Sequence, residues 1–207
     1  MNILRPWILL LLLAVTVSGD ESQQQSGNLR QSRRREEVVA SNIFSPKDSD
    51  HQFRIVGGTN APSGRFPYMV RAGGCGASVI APNLLLTAAH CGGAFGGQLR
   101  IGSVNKYSGG EVAYRKQQIP HPNYKGNNND FMIIVLDREV KAKPVKVNGN
   151  ANSPSPNEAL TVIGFGRTSE GGTSSDKLKQ VTVPYVSHND CRKVYGNIVE
   201  KTMLCAG

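Results

Sequence analysis

The chain has 207 residues, 39% of them hydrophobic and 19% charged, with 23 Gly and 11 Pro. That composition excludes a wholly disordered chain and fits a turn-rich, mostly β globular protein of one large or two small domains. The net charge of +9 would attract acidic substrates, anionic cell-surface polymers or nucleic acid, but from Ile55 to Gly207 the 17 Lys and Arg and 9 Asp and Glu are scattered and not grouped with aromatics. A solvated basic surface is expected, without nucleic acid binding.

At the N-terminus, Met1 to Arg5 carries one positive charge and Pro6 to Val17 is apolar, ending in Val17 Ser18 Gly19. The run is too short to match the roughly 20 apolar residues of a membrane helix, so residues 1–19 are expected to be a secretory signal peptide. A secreted, extracellular protein with no membrane attachment after signal removal follows. Residues 20–54 are polar, with Gln23 Gln24 Gln25 and Arg33 Arg34 Arg35, and cannot bury enough surface to fold alone. They read as a propeptide ending in Arg54, followed by Ile55 Val56 Gly57 Gly58.

From Phe66 onward short β-type runs alternate with glycine-rich turns: Phe66 to Arg71, Ala77 to Ile80, Asn83 to Ala88, Glu111 to Ile119 and Phe131 to Leu136. This spacing predicts a sandwich or barrel, and the lack of intervening amphipathic helices disfavours a parallel βαβ sheet. Asn152 Ser153 Pro154 Ser155 Pro156 Asn157 reads as a linker. Strands are predicted again at Leu160 to Phe165 and Lys179 to Tyr185, and Ser187 with Asp190 three residues on predicts a capped helix over Ser187 to Tyr195.

The cysteines Cys75, Cys91, Cys191 and Cys205 are an even number in a chain bound for an oxidising compartment, so disulfides are the default. Sequence neighbours give two local pairs, separated by 16 and 14 residues. Closing such loops is worth about 3 kcal/mol each on the chain-entropy account. No CxxC occurs, and His90 next to Cys91 is a poor start for zinc, so no metal or other cofactor is expected.

Three short segments bear on chemistry. Leu86 Thr87 Ala88 Ala89 His90 Cys91 sets a histidine directly after a buried-type strand. Such a histidine is either a packed structural group or a general base, since its ordinary pKa near 6.5 lets it take and return a proton at neutral pH. Asp130, before Phe131 Met132 Ile133 Ile134 Val135 Leu136, is either a strand-initiating cap or a buried carboxylate. His51, His121 and His188 stand in a removable segment or in loop and helix-start contexts, and are expected to be exposed.

Taken together, the His90 segment, Arg54 Ile55 Val56 Gly57 Gly58, Gly74 Cys75 Gly76 Ala77 Ser78, Val162 Ile163 Gly164 Phe165 Gly166 and Met203 Leu204 Cys205 Ala206 Gly207 resemble the trypsin-like serine peptidases. Phe165 stands where that family commonly has Trp, and Phe131 where it has a smaller residue. The resemblance implies an all-β fold of two antiparallel six-stranded barrels in a domain over residues 55–207, the first at about 55–150 and a partial second at about 158–207. It implies disulfides Cys75–Cys91 and Cys191–Cys205, His90 as the base and Asp130 as its orienting carboxylate. It also implies cleavage between Arg54 and Ile55 by an activating protease, protein or peptide substrates, protein inhibitors as further partners, and a monomer.

The family's Gly Asp Ser Gly Gly segment does not occur in the 207 residues, and Ser78, Ser103, Ser174 and Ser187 lack its surroundings. The expectation is a chain that ends before the nucleophilic serine, inactive alone and with an unclosed second barrel. The alternative is a secreted, non-catalytic homologue acting as a binding or regulatory module.

Overall fold

A computed structural model describes residues 57–168 and 172–207. The segments expected to be a signal peptide and a propeptide, His51 and the expected cleavage pair Arg54 and Ile55 lie outside the described residues. Among these, eleven strands are joined by one short α-helix and two 3-10 turns, and no helix is long and apolar enough to cross a membrane.

Seven strands form one antiparallel sheet: β2 (Met69–Ala72), β3 (Cys75–Ala81), β4 (Leu84–Thr87), β5 (Leu99–Ile101), β6 (Glu111–Ala113), β7 (Arg115–Pro120) and β8 (Met132–Leu136). Their order is β6-β5-β2-β3-β4-β8-β7. The two ends of this path, β6 and β7, are separated in the chain by Tyr114 alone. The run Glu111 to Pro120 therefore pairs with β5 through its first half and with β8 through its second, which curls the sheet back on itself as six continuous strands. Asp137 fixes the corner, its carboxylate accepting the Tyr114 N–H at 2.9 Å and its own N–H donating to the Tyr114 carbonyl. Closing a sheet in this way removes the unpaired edges that invite aggregation.

The interior follows from strand periodicity. Along β8, Met132, Ile134 and Leu136 are buried while Ile133 and Val135 are only partly so, as the alternation of side chains across a strand requires. They meet Val70, Val79, Leu85, Phe95, Leu99 and Ile101 in one core. Burying each such side chain contributes roughly 1.5–3 kcal/mol before entropy is counted. Thr87, polar but only 1% exposed, donates to the Gly76 carbonyl at 2.8 Å.

The second sheet is built around β10 (Lys179–Val186), which pairs with β9 (Ala159–Gly164) along one side and with β1 (Thr59–Asn60) and β11 (Cys205–Ala206) on the other. The helix α1 (His188–Tyr195) follows, with Ser187 as its N-cap accepting the Asp190 N–H at 3.1 Å. The two sheets are tied through Leu178, 1% exposed, whose carbonyl accepts from Ala61 and whose N–H donates to Val104, each at 2.8 Å.

Candidate active site

Antiparallel pairing of β4 with β8 brings the two predicted site residues together. The register sets Thr87 opposite Met132, so the chain leaving β4 and the chain arriving at β8 run side by side. His90 lies three residues past Thr87 and Asp130 two before Met132. The 3-10 turn Ala89–Gly96 carries His90 out of the barrel, and the Cys75–Cys91 disulfide fastens that turn to the start of β3. Gln118 on β7 adds a second tie by donating to the Gly92 carbonyl at 2.7 Å.

Asp130 is 4% exposed. One carboxylate oxygen, Oδ1, accepts the backbone N–H of His90 at 2.9 Å, and the other, Oδ2, lies 2.6 Å from His90 Nδ1. A carboxylate can only accept here, so Nδ1 carries the ring proton and Nε2 is left with a free lone pair. The imidazole is 42% exposed and Nε2 lies 3.4 Å from the Cys91 sulfur, which as part of a disulfide has no proton to give. The tautomer of the ring is thus set from the protein side.

The loop before Asp130 is held from both halves of the molecule. Asn129 adopts φ 53°, and its N–H donates to the Thr202 hydroxyl at 3.2 Å, while that hydroxyl donates to Asn128 Oδ1 at 2.8 Å. Tyr124 beside it has its phenol pKa raised above the ordinary value by burial and then by the negative charge of Asp130. Thr202 had no motif to mark it; only the fold brings it to the loop before the carboxylate.

Ligand atoms of Cys75, His90 and Cys91 cluster within 4.8 Å. Both sulfurs are spent in one disulfide, so the trio offers no thiolate to a metal. The second disulfide, Cys191–Cys205, joins α1 to β11. His121 and His188 are half-buried, which corrects the expectation of exposure: His121 accepts the Asn123 N–H through Nδ1, and the His188 ring lies against the protein with Nε2 buried and unpartnered. Neither side chain bonds to the Asp130 carboxylate, whose partner is His90. Ser103 and Ser187 serve their own loops, Ser174 accepts from Lys106, and Ser78 is buried in β3.

The family model for Trypsin matches residues 55–207. The chain belongs to the trypsin family. Among relatives of this trypsin-family chain are a "Trypsin-like protease" of Streptomyces glaucescens, 34% identical over 163 residues, and a "Trypsin" of Saccharopolyspora erythraea, 33% identical over 174 residues. "Trypsin 5G1" of Aedes aegypti is 33% identical over 171 residues. Each alignment takes in 74% of this chain, which spans 60%, 73% and 64% of the three relatives respectively. The curled first sheet and the second sheet are those of an all-β trypsin-like fold.

Proposed function

We propose that this chain is the zymogen of a secreted serine endopeptidase that hydrolyses peptide bonds in protein substrates. The observation that carries the reading is the His90–Asp130 pair, with Nδ1 2.6 Å from a buried carboxylate on an imidazole that is itself 42% exposed. In the reaction His90 Nε2 takes the proton of a serine hydroxyl as its oxygen attacks the scissile carbonyl, then returns it to the leaving amine, so that an acyl-enzyme forms and the C–N bond breaks. Water, activated by the same nitrogen, releases the acyl group. Asp130 stabilises the imidazolium at each step. The nucleophile belongs to the family's Gly Asp Ser Gly Gly segment, which the 207 residues do not include.

Activation is by cleavage between Arg54 and Ile55, at the end of a polar segment with no cysteine to retain it. The apolar run behind Met1 to Arg5 supports secretion into an extracellular space, where protein inhibitors meet the enzyme as a monomer. The experiment is to append the catalytic-serine segment, cleave after Arg54 and assay peptide-ester hydrolysis. Turnover that disappears in His90→Ala supports the reading; turnover indifferent to His90 refutes the assignment. A fully folded, cleaved protein without turnover favours the non-catalytic homologue instead.

A further inference from the structure

The carboxylate of Asp130 is placed by the chain on either side of it. After it, Phe131 leads into β8, where the His121 N–H donates to the Phe131 carbonyl at 2.8 Å and Met132 pairs with Thr87. Before it, Asn129 turns the chain at φ 53°, a left-handed conformation that Asn tolerates better than most residues but that still needs support from its surroundings. The Phe131 N–H donates to the Asn129 carbonyl at 2.8 Å, so a shift of Asn129 is passed to Phe131 across Asp130.

Part of the support is local. The Tyr124 N–H donates to the His121 carbonyl, Lys125 and Asn128 exchange backbone hydrogen bonds, and Asn129 Nδ2 donates to the Asn123 carbonyl. The Asn129 N–H, however, takes its acceptor from the other half of the molecule. The Thr202 hydroxyl accepts that N–H at 3.2 Å and donates its own proton to Asn128 Oδ1 at 2.8 Å. One hydroxyl thus clamps two consecutive residues as acceptor and donor, where a methyl in its place would leave an N–H and an amide oxygen without this partner.

Thr202 is itself fixed by the second half. The Met203 N–H closes a turn on the Glu200 carbonyl at 3.0 Å. Just beyond, β11 pairs with β10 through Val186 opposite Cys205 and Tyr185 opposite Ala206, and Cys205 is bonded to Cys191 in α1. The ties through Leu178 end on Ala61 and Val104 and so leave the 121–130 loop untouched. Small displacements matter at such a place, since a misplacement of about 1 Å caused far from the chemistry can cost about a hundredfold in rate.

We propose that Thr202 is a positioning residue for the reaction: through Asn128 and Asn129 it sets the place of the Asp130 carboxylate, and it makes the His90–Asp130 geometry conditional on the second half folding against the first. The inference rests on the reading of His90 and Asp130 as the proton-transfer pair. Thr202 bonds to neither of them and acts through the backbone at Asn129. The position requires a hydroxyl, so Ser serves there and Val, close to Thr in shape, does not.

The test compares Thr202→Val, Thr202→Ser and, as a control in the same half, Ser187→Ala. In the 207-residue chain carrying nitrogen-15 in its histidines, the His90 Nδ1–H proton should exchange slowly with water in the parent, in Thr202→Ser and in Ser187→Ala. In Thr202→Val that exchange should quicken about tenfold or more as the loop opens locally. In the chain extended by the catalytic-serine segment and cleaved after Arg54, Thr202→Val should lower kcat about tenfold or more with KM within about twofold, and Thr202→Ser should keep most of the parent rate. Should Thr202→Val fail to fold, Asn128→Ala, which removes the acceptor of the hydroxyl, should move both readouts in the same direction. Turnover indifferent to His90→Ala defeats the reading of the pair, and the Nδ1–H exchange then decides alone whether Thr202 orders it. Turnover that needs His90 while Thr202→Val keeps the parent exchange and kcat overturns the inference. Equal effects of Thr202→Val and Ser187→Ala overturn it too, because a general loss of stability would account for both.

Discussion

Asp130 holds His90 by two atoms at once: Oδ1 accepts the backbone N–H at 2.9 Å and Oδ2 faces ring Nδ1 at 2.6 Å. A single carboxylate thus fixes both the position of the residue and the tautomer of its ring. Asp130→Ala leaves the His90 N–H without its acceptor, and urea unfolding should show a loss of about 1–3 kcal/mol. Asp130→Asn keeps an oxygen for that N–H and should lose less, while nitrogen-15 shifts of the His90 ring should report a changed tautomer. Equal stability of all three proteins would mean that the carboxylate does not support the loop.

The Cys75–Cys91 disulfide anchors the turn that carries His90. Replacing both cysteines with serine should lower unfolding free energy by about 3 kcal/mol, the value for a loop of this length in the chain-entropy model. Amide exchange should accelerate first in the Ala89–Gly96 turn. Uniform acceleration across the barrel would instead point to a global effect on the unfolded chain.

Helix α1 depends on its first turn. Ser187→Ala removes the acceptor for the Asp190 N–H and should cost about 1 kcal/mol. Asp190 itself has its pKa lowered, first by the hydrogen bond from Lys193, then by that from Ser187 and by the Lys193 charge. Because the folded value lies below the unfolded one, this stabilisation is present above the ordinary aspartate pKa and is lost as pH falls through the lowered value, below about pH 4. Asp190→Asn should flatten that part of the acid unfolding curve; an unchanged curve would remove Asp190 from the account.

Gly110 is a fourth point of weakness. Gly110→Ala sets a methyl group against the Ile101 carbonyl at a positive φ, and a loss above about 1 kcal/mol is expected from strain of this kind. A thermal midpoint equal to that of the parent protein would show that the 103–110 loop can relax.

Much of this architecture was legible in the sequence. Runs with β-branched or alternating apolar residues, such as Phe131 to Leu136 and Lys179 to Tyr185, became strands with ends moved by a residue or so. Ser187 caps α1, although the Asp190 carboxylate accepts from the Ser187 hydroxyl and not from its N–H as a full capping box would have it. Three strands escaped because they are too short to show a period: Thr59–Asn60, Leu99–Ile101 and Cys205–Ala206. The single run Glu111 to Ile119 gave no sign that Tyr114 turns a corner, since closure is a long-range property of pairing. His90 and Asp130 were legible through motif context, but their contact across 40 residues is a consequence of the β4–β8 register.

The most direct measurement of the central claim is the rate of peptide-ester hydrolysis by the chain carrying its catalytic-serine segment and cleaved after Arg54, compared with its His90→Ala variant. The account predicts turnover by the parent protein and a fall of about ten-thousandfold or more in His90→Ala. A His90→Ala protein that retains the parent rate would contradict it.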